Sequence, residues 1–178
     1  LSESGTEVFQ FCGFKVTSLI LCGIIGGCAV ISFLVFCASW LDVEVGQALQ
    51  IFGGLSSGSV HGFGFSSGQG GVSGFLFVLA MCAFFPLVVG AVLAFRRQKS
   101  IIPAIGVLTS GIMHLLCAVV FIMVARVANG EFTDEKFGRL GNVTPAGGWY
   151  MGVLLGFFLI VAGGFYFVTM RRKQPWGS

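Results

Sequence analysis

The chain has 178 residues, of which 56% are hydrophobic and only 10% charged, with a formal net charge of +3. Soluble domains carry roughly 25% charged residues, so a water-soluble domain of any size is excluded, and the small basic excess is no footprint for nucleic acid. The fold class that follows is an all-α membrane protein, a four-transmembrane-helix bundle forming one domain over residues 1–178.

Residues 1–14 hold Glu3 and Glu7 and no basic leader before an apolar run, which is not the pattern of a signal peptide. The first apolar stretch, Val16–Trp40, then contains no Lys, Arg, Asp or Glu. The same holds for Val72–Phe95, Ile101–Ala125 and Gly148–Met170. Each is long enough at about 1.5 Å per residue to cross a hydrocarbon core of roughly 30 Å. With no water in that core, only a helix satisfies the backbone of each stretch.

The joint at 41–71 opens with Asp42 and Glu44 among apolar residues, in a pattern that suits a short strand or an interfacial helix. It continues as a Gly- and Ser-rich run in which Phe63 and Phe65 alternate with glycine. Those phenylalanines either dip into the interface or bundle, or form a partner-contact loop. Residues 96–100 are too few to do more than turn the second and third spans into an antiparallel hairpin. Pro86 should kink the second span, whereas Pro103 falls in the first turn of the third, where proline is tolerated. The joint at 127–147 has an acidic centre and an Asn142-Val143-Thr144 glycosylation pattern, but its closeness to Trp149 and the following Pro145 argue against use.

Basic residues gather on one side: Lys15, Arg96, Arg97, Lys99, Arg171, Arg172 and Lys173. Asp42, Glu44, Glu131, Asp134 and Glu135 lie on the other, with only Arg126, Lys136 and Arg139 as basic company. The positive-inside rule then puts both termini on the cytoplasmic side of a multi-pass membrane protein and the joints 41–71 and 127–147 outside. Trp40, Trp149, Tyr150 and Trp176 stand near span boundaries, where interfacial anchors are expected. Bound lipids are expected around such a bundle.

Gly148, Gly152 and Gly156 recur every four residues, followed by Gly163 and Gly164. Such a face lets another backbone approach closely, and Gly23 and Gly27 in the first span offer a second small surface. The role assigned to these glycines is helix packing, within the bundle or against other subunits or copies of the chain.

Candidate chemistry is sparse. Six cysteines at positions 12, 22, 28, 37, 82 and 117 leave both outer joints free of thiols, so no disulfide framework is expected. His114, inside the third span, is the one intramembrane ionisable side chain apart from thiols and tyrosines. An intramembrane ionisable residue is a functional-site candidate: a haem or pigment ligand, a proton relay, or a neutral histidine bonded to a Ser, Thr or carbonyl of a neighbour. Haem with two axial histidines would need His61, which lies in a joint. Paired with Cys117 or Ser110, His114 is also the one candidate base for a nucleophile. No paired carboxylates, metal motif or nucleotide loop occurs, and neither a catalytic residue nor a metal site is expected.

The third span GVLTSGIMHLLCAVVFIMVARV and the start of the fourth, GGWYMGVLLGFFLIVAGG, together with the loop plan, resemble the claudin-like tetraspan superfamily. The resemblance implies a tetraspan bundle acting through side-by-side contacts. Claudins carry Gly-Leu-Trp and two disulfide-bonded cysteines in the first outer loop. Here Trp40 stands without them, which argues against the claudin outer sheet and a paracellular pore. The expected function is a non-enzymatic accessory or structural membrane subunit, its partners being other integral membrane proteins or copies of itself. A haem- or pigment-binding electron-transfer subunit and a small self-assembling channel or transporter are the alternatives.

Overall fold

The computed structural model describes residues 7–11, 14–45, 57–64, 66–67, 74–96, 101–131, 133–134, 138–139 and 141–173. Four helices dominate: α1 (Ser18–Cys37), α2 (Gly74–Phe95), α3 (Ile102–Glu131) and α4 (Gly147–Lys173). All four are long and apolar enough to cross a membrane, so the chain is a multi-pass membrane protein. Their outward residues are large and apolar (Leu19, Phe75, Phe85, Ile112, Phe157 and Val161 among them). In water such a surface would aggregate; in lipid it is solvated.

The apolar helices are joined at one end by β-structure. A hairpin of β1 (Glu7–Phe11) and β2 (Phe14–Thr17) precedes α1. At the opposite end of α1, β3 (Ser39–Val45), β4 (Gly58–His61), β5 (Ser66–Ser67) and β8 (Gly141–Pro145) form an antiparallel sheet in the order β5-β4-β3-β8. A small ribbon of β6 (Thr133–Asp134) and β7 (Gly138–Arg139) lies before β8. The two joints between spans therefore meet: β3 from the first pairs with β8 from the second, Val43 opposite Val143.

The alternation of Leu41, Asp42, Val43 and Glu44 produces this strand. Leu41 is buried and Val43 half-buried, while Asp42 and Glu44 are exposed, the period of two expected of a sheet with one wet face. Of the two readings open for this segment, the strand is correct. The sheet forms with no cysteine in either joint, so the missing thiols were no obstacle to it. A side chain of α3 takes over part of the cross-linking. Asn129 Nδ2 donates to Val143 O at 2.9 Å, and Val143 N donates to Asn129 Oδ1 at 2.7 Å. For this contact α3 runs past the end of its apolar stretch to Glu131, beyond the boundary at residue 125 that composition suggests.

Within the bundle, α1 packs on α2, α2 on α3 and α3 on α4. Glycine permits the closest approaches. A Cβ at Gly111 would lie 2.8 Å from Gly156 O, one at Gly163 would lie 2.8 Å from Leu108 N, and one at Gly106 would lie 2.7 Å from Pro86 O. Gly111 carried no distinguishing mark in the sequence, because its partner is a carbonyl on another helix.

Candidate functional site: a buried polar clasp beneath a capped helix end

The site is assembled where α1 ends. The last four carbonyls of a helix have no partner inside it, and beside a hydrocarbon core each must be satisfied by protein. Here every one is. Ala38 N donates to Leu34 O at 3.1 Å, Trp40 Nε1 to Val35 O at 2.8 Å, Phe63 N to Phe36 O at 3.2 Å and His61 Nδ1 to Cys37 O at 2.9 Å. Gly62 N adds a bond to Ala38 O at 3.3 Å. The turn at 61–64 thus serves as the C-terminal cap of α1. Its close fit requires glycine twice. A Cβ at Gly62 would sit 2.6 Å from Trp40 Nε1, and Gly64 has a φ of 79°.

This cap overturns one sequence expectation and decides the placement of a second residue. Trp40 is no interfacial anchor: it is fully buried, stacked on Phe36 at 5.1 Å and tilted against Phe121 at 4.9 Å. Phe63 follows the first of the two readings open for it and dips into the bundle. It is buried, with Phe36 and Phe33 each 5.5 Å away and Phe77 at 6.2 Å, because the cap pulls it into the aromatic cluster. Phe65 lies outside the described residues.

Trp40 also occupies the glycine face of α4. A Cβ at Gly148 would meet Ser39 O at 2.6 Å and Trp40 Cδ1 at 2.8 Å, and one at Gly152 would meet Trp40 Cη2 at 2.7 Å. At Gly156 it would meet Leu115 Cδ2 at 2.9 Å. The ladder is filled by the chain's own indole and by α3, which leaves it no room for a second subunit. Gly23, Gly27 and Gly164 behave differently, for nothing lies within 4 Å of a Cβ at any of them.

Below the cap sits His114, fully buried on α3 with its ring 5.0 Å from that of Phe36. Its Nδ1 is 2.8 Å from Ser110 O, and its Nε2 is 2.9 Å from Ser32 Oγ on α1. A carbonyl accepts only, so Nδ1 bears the hydrogen and Nε2 accepts from the Ser32 hydroxyl. Ser110 Oγ in turn donates to Ala83 O on α2 at 2.6 Å. The result is a closed clasp linking α1, α2 and α3, and no buried side-chain nitrogen or oxygen among the described residues lacks a partner.

The chemistry of this clasp is limited by how its hydrogens are used. Ser110 directs its hydrogen to the Ala83 carbonyl, and His114 Nδ1 directs its own to Ser110 O, so in this arrangement neither passes a proton to the other. A haem or pigment metal would have to displace Ser32 from Nε2, and His61, the second candidate ligand, sits in the α1 cap with its Nδ1 bonded to Cys37 O. Among the described residues no three His, Cys, Asp or Glu side chains gather to hold a metal ion.

Sequence reasoning singled out His114 and left a Ser, Thr or carbonyl of a neighbour as its partner, without choosing one. It did not find the capping roles of His61 and Trp40 or the Asn129 brace. Their one signal was polar or aromatic character at a span end, which also describes an ordinary interfacial residue. No family model matches this chain, and no curated protein matches it at a significant level.

Proposed function

We propose that the protein is a non-enzymatic structural or accessory subunit that assembles side by side with other membrane proteins, α1 forming the seam. The observation that carries this reading is the pair Gly23 and Gly27, one turn apart on the exposed face of α1 with open space where a Cβ would be. A glycine turned toward lipid gives its own bundle no packing, whereas the Gly-x-x-x-Gly spacing lets a neighbouring helix come close. The hydrogen-bonded state of His114 and Ser110 supports a structural role for the polar groups over a catalytic one.

We read the chain as claudin-like in plan, with the two joints united in one sheet around Trp40. On that reading both termini face the cytoplasm and the sheet faces outward.

The test is the particle extracted gently from its native membrane, for the unaltered chain and for Gly23→Leu/Gly27→Leu. The expected result is a complex with other proteins in fixed ratio that dissociates in the variant, while the variant's own thermal midpoint stays unchanged. Extraction of the unaltered protein as a lone chain would overturn the reading. Extraction as a homo-oligomer would transfer the case to a self-assembling pore or junction protein.

A further inference from the structure

We propose that the α1/α4 seam holds one acyl chain of an anionic phospholipid, its head group lying at the end of the bundle where α1 starts and α4 ends. Along this seam the bundle is incompletely closed. A cleft of about 390 Å³ runs between the two helices, walled by Ile25 and Cys28 of α1 and by Leu159, Ala162 and Tyr166 of α4, with Val107 of α3 at its floor. That volume is in the range of small-molecule sites, about 300–1,000 Å³. Ile25, Val107, Leu159 and Tyr166 are buried, while Phe158 and Phe165, also at the cleft, are exposed. The walls are therefore inside the fold and the mouth opens to lipid.

Size decides between a lipid chain and a partner's helix. Helices in contact sit with axes about 8–10 Å apart, so inserting one between α1 and α4 would force these to roughly twice that separation. The cleft itself holds about 390 Å³, less than a helix about 10 Å across needs over the same length. A helix can ride over the mouth; only a thinner chain can lie inside. An empty apolar slot would forfeit the dispersion contacts of its lining, and the fluid at its mouth is hydrocarbon.

Charge decides the class of lipid. The cleft begins at Leu21, one turn into α1, and reaches Tyr166, near the last turns of α4. At that same end Lys15 precedes α1 by three residues, and Arg171, Arg172 and Lys173 complete α4. Basic residues next to a membrane surface each favour anionic lipid by roughly five-fold. A chain seated in the cleft puts its phosphate level with them.

The experiment uses the full chain in nanodiscs of phosphatidylcholine doped with phosphatidylserine or phosphatidylcholine bearing a diazirine on one acyl chain, with adducts mapped by mass spectrometry. Adducts at Cys28 and Ala162 are expected to favour the serine lipid by roughly five-fold or more and to be competed by unlabelled phosphatidylserine. Adducts at the lipid-facing Val161 should show neither property. Ala162→Phe should abolish the preferred labelling at Cys28. Should that variant fold poorly, Lys15→Gln/Arg171→Gln/Arg172→Gln/Lys173→Gln leaves the cleft intact and should remove the head-group preference. Cleft labelling equal to that of Val161, uncompeted or indifferent to head group, would overturn the proposal.

Discussion

The two faces of α4 use one residue type to opposite ends. Toward α3 and Trp40, Gly148, Gly152 and Gly163 meet backbone or ring atoms, and Gly156 the Leu115 side chain, closer than a Cβ tolerates. Away from those contacts Gly164 meets nothing, as do Gly23 and Gly27 on α1. Small residues in a membrane helix therefore mark either a contact already made or a surface still open. Sequence spacing does not separate the two; the direction in which each glycine points does.

The filled face should break first and hardest. Gly152→Leu drives a branched side chain into the fully buried indole of Trp40, and overpacking of this kind costs about 3 kcal/mol. The expected result is a large fall in the thermal midpoint in mild detergent, together with loss of the Trp40–Val35 bond seen as increased solvent quenching of Trp fluorescence. Gly111→Ala is the milder version. Its methyl would meet Gly156 O and Ile160 N, both at 2.8 Å, so α3 and α4 must separate slightly, at a cost of about 1–3 kcal/mol. A midpoint unchanged in both variants would mean the filled face is not tight.

Next comes the polar clasp, which belongs to the filled side of the molecule. His114→Leu leaves the Ser32 hydroxyl without its acceptor, and intramembrane hydrogen bonds of this kind are worth about 1–2 kcal/mol. The change should lower the midpoint, and Ser32→Ala in the same background should recover part of the loss by removing the orphaned group. Additive losses in that double variant would show that the two side chains do not act as a pair.

The bundle was legible because lipid allows so few answers: four uncharged stretches must be four helices. His114 was legible for a related reason, since a buried imidazole stands out in a span without other charge. The sheet was half legible, through the alternation from Leu41 to Glu44, but its partner strand β8 comes from the other joint, about a hundred residues on in the chain. The cap was hidden for the same reason. His61, Phe63 and Trp40 acquire their roles only once the turn at 61–64 folds back on α1, and as isolated residues they resemble loop and interface side chains. Asn129 shows the limit most sharply, being one amide in a polar stretch until Val143 is placed beside it.

Asn129 also offers a smaller perturbation, confined to the membrane surface. Asn129→Ala removes two hydrogen bonds to Val143, yet water can replace them once the strand moves outward, so the net loss is about 1 kcal/mol. The expected signature is local: faster hydrogen exchange at the Val143 amide with the midpoint of the bundle almost unmoved. A global loss as large as that of Gly152→Leu would mean that the sheet, and not the helix packing, sets the stability of the fold.

The smallest expected effect sharpens the comparison most. Gly164→Ala adds a methyl where nothing lies within 4 Å, so no contact is strained, and the helix gains up to about 1 kcal/mol from the replacement of glycine. The midpoint should stay level or rise, in contrast with Gly111→Ala, where the same methyl is added on the other side of the α3/α4 pair. If Gly164→Ala lowers the midpoint of the isolated protein as Gly111→Ala does, the open face is occupied in solution as well, and a second copy of the chain becomes the first candidate for what covers it. A purified monomer that loses nothing at Gly164 and much at Gly111 leaves the distinction between filled and open glycines standing on energetics as well as on distance.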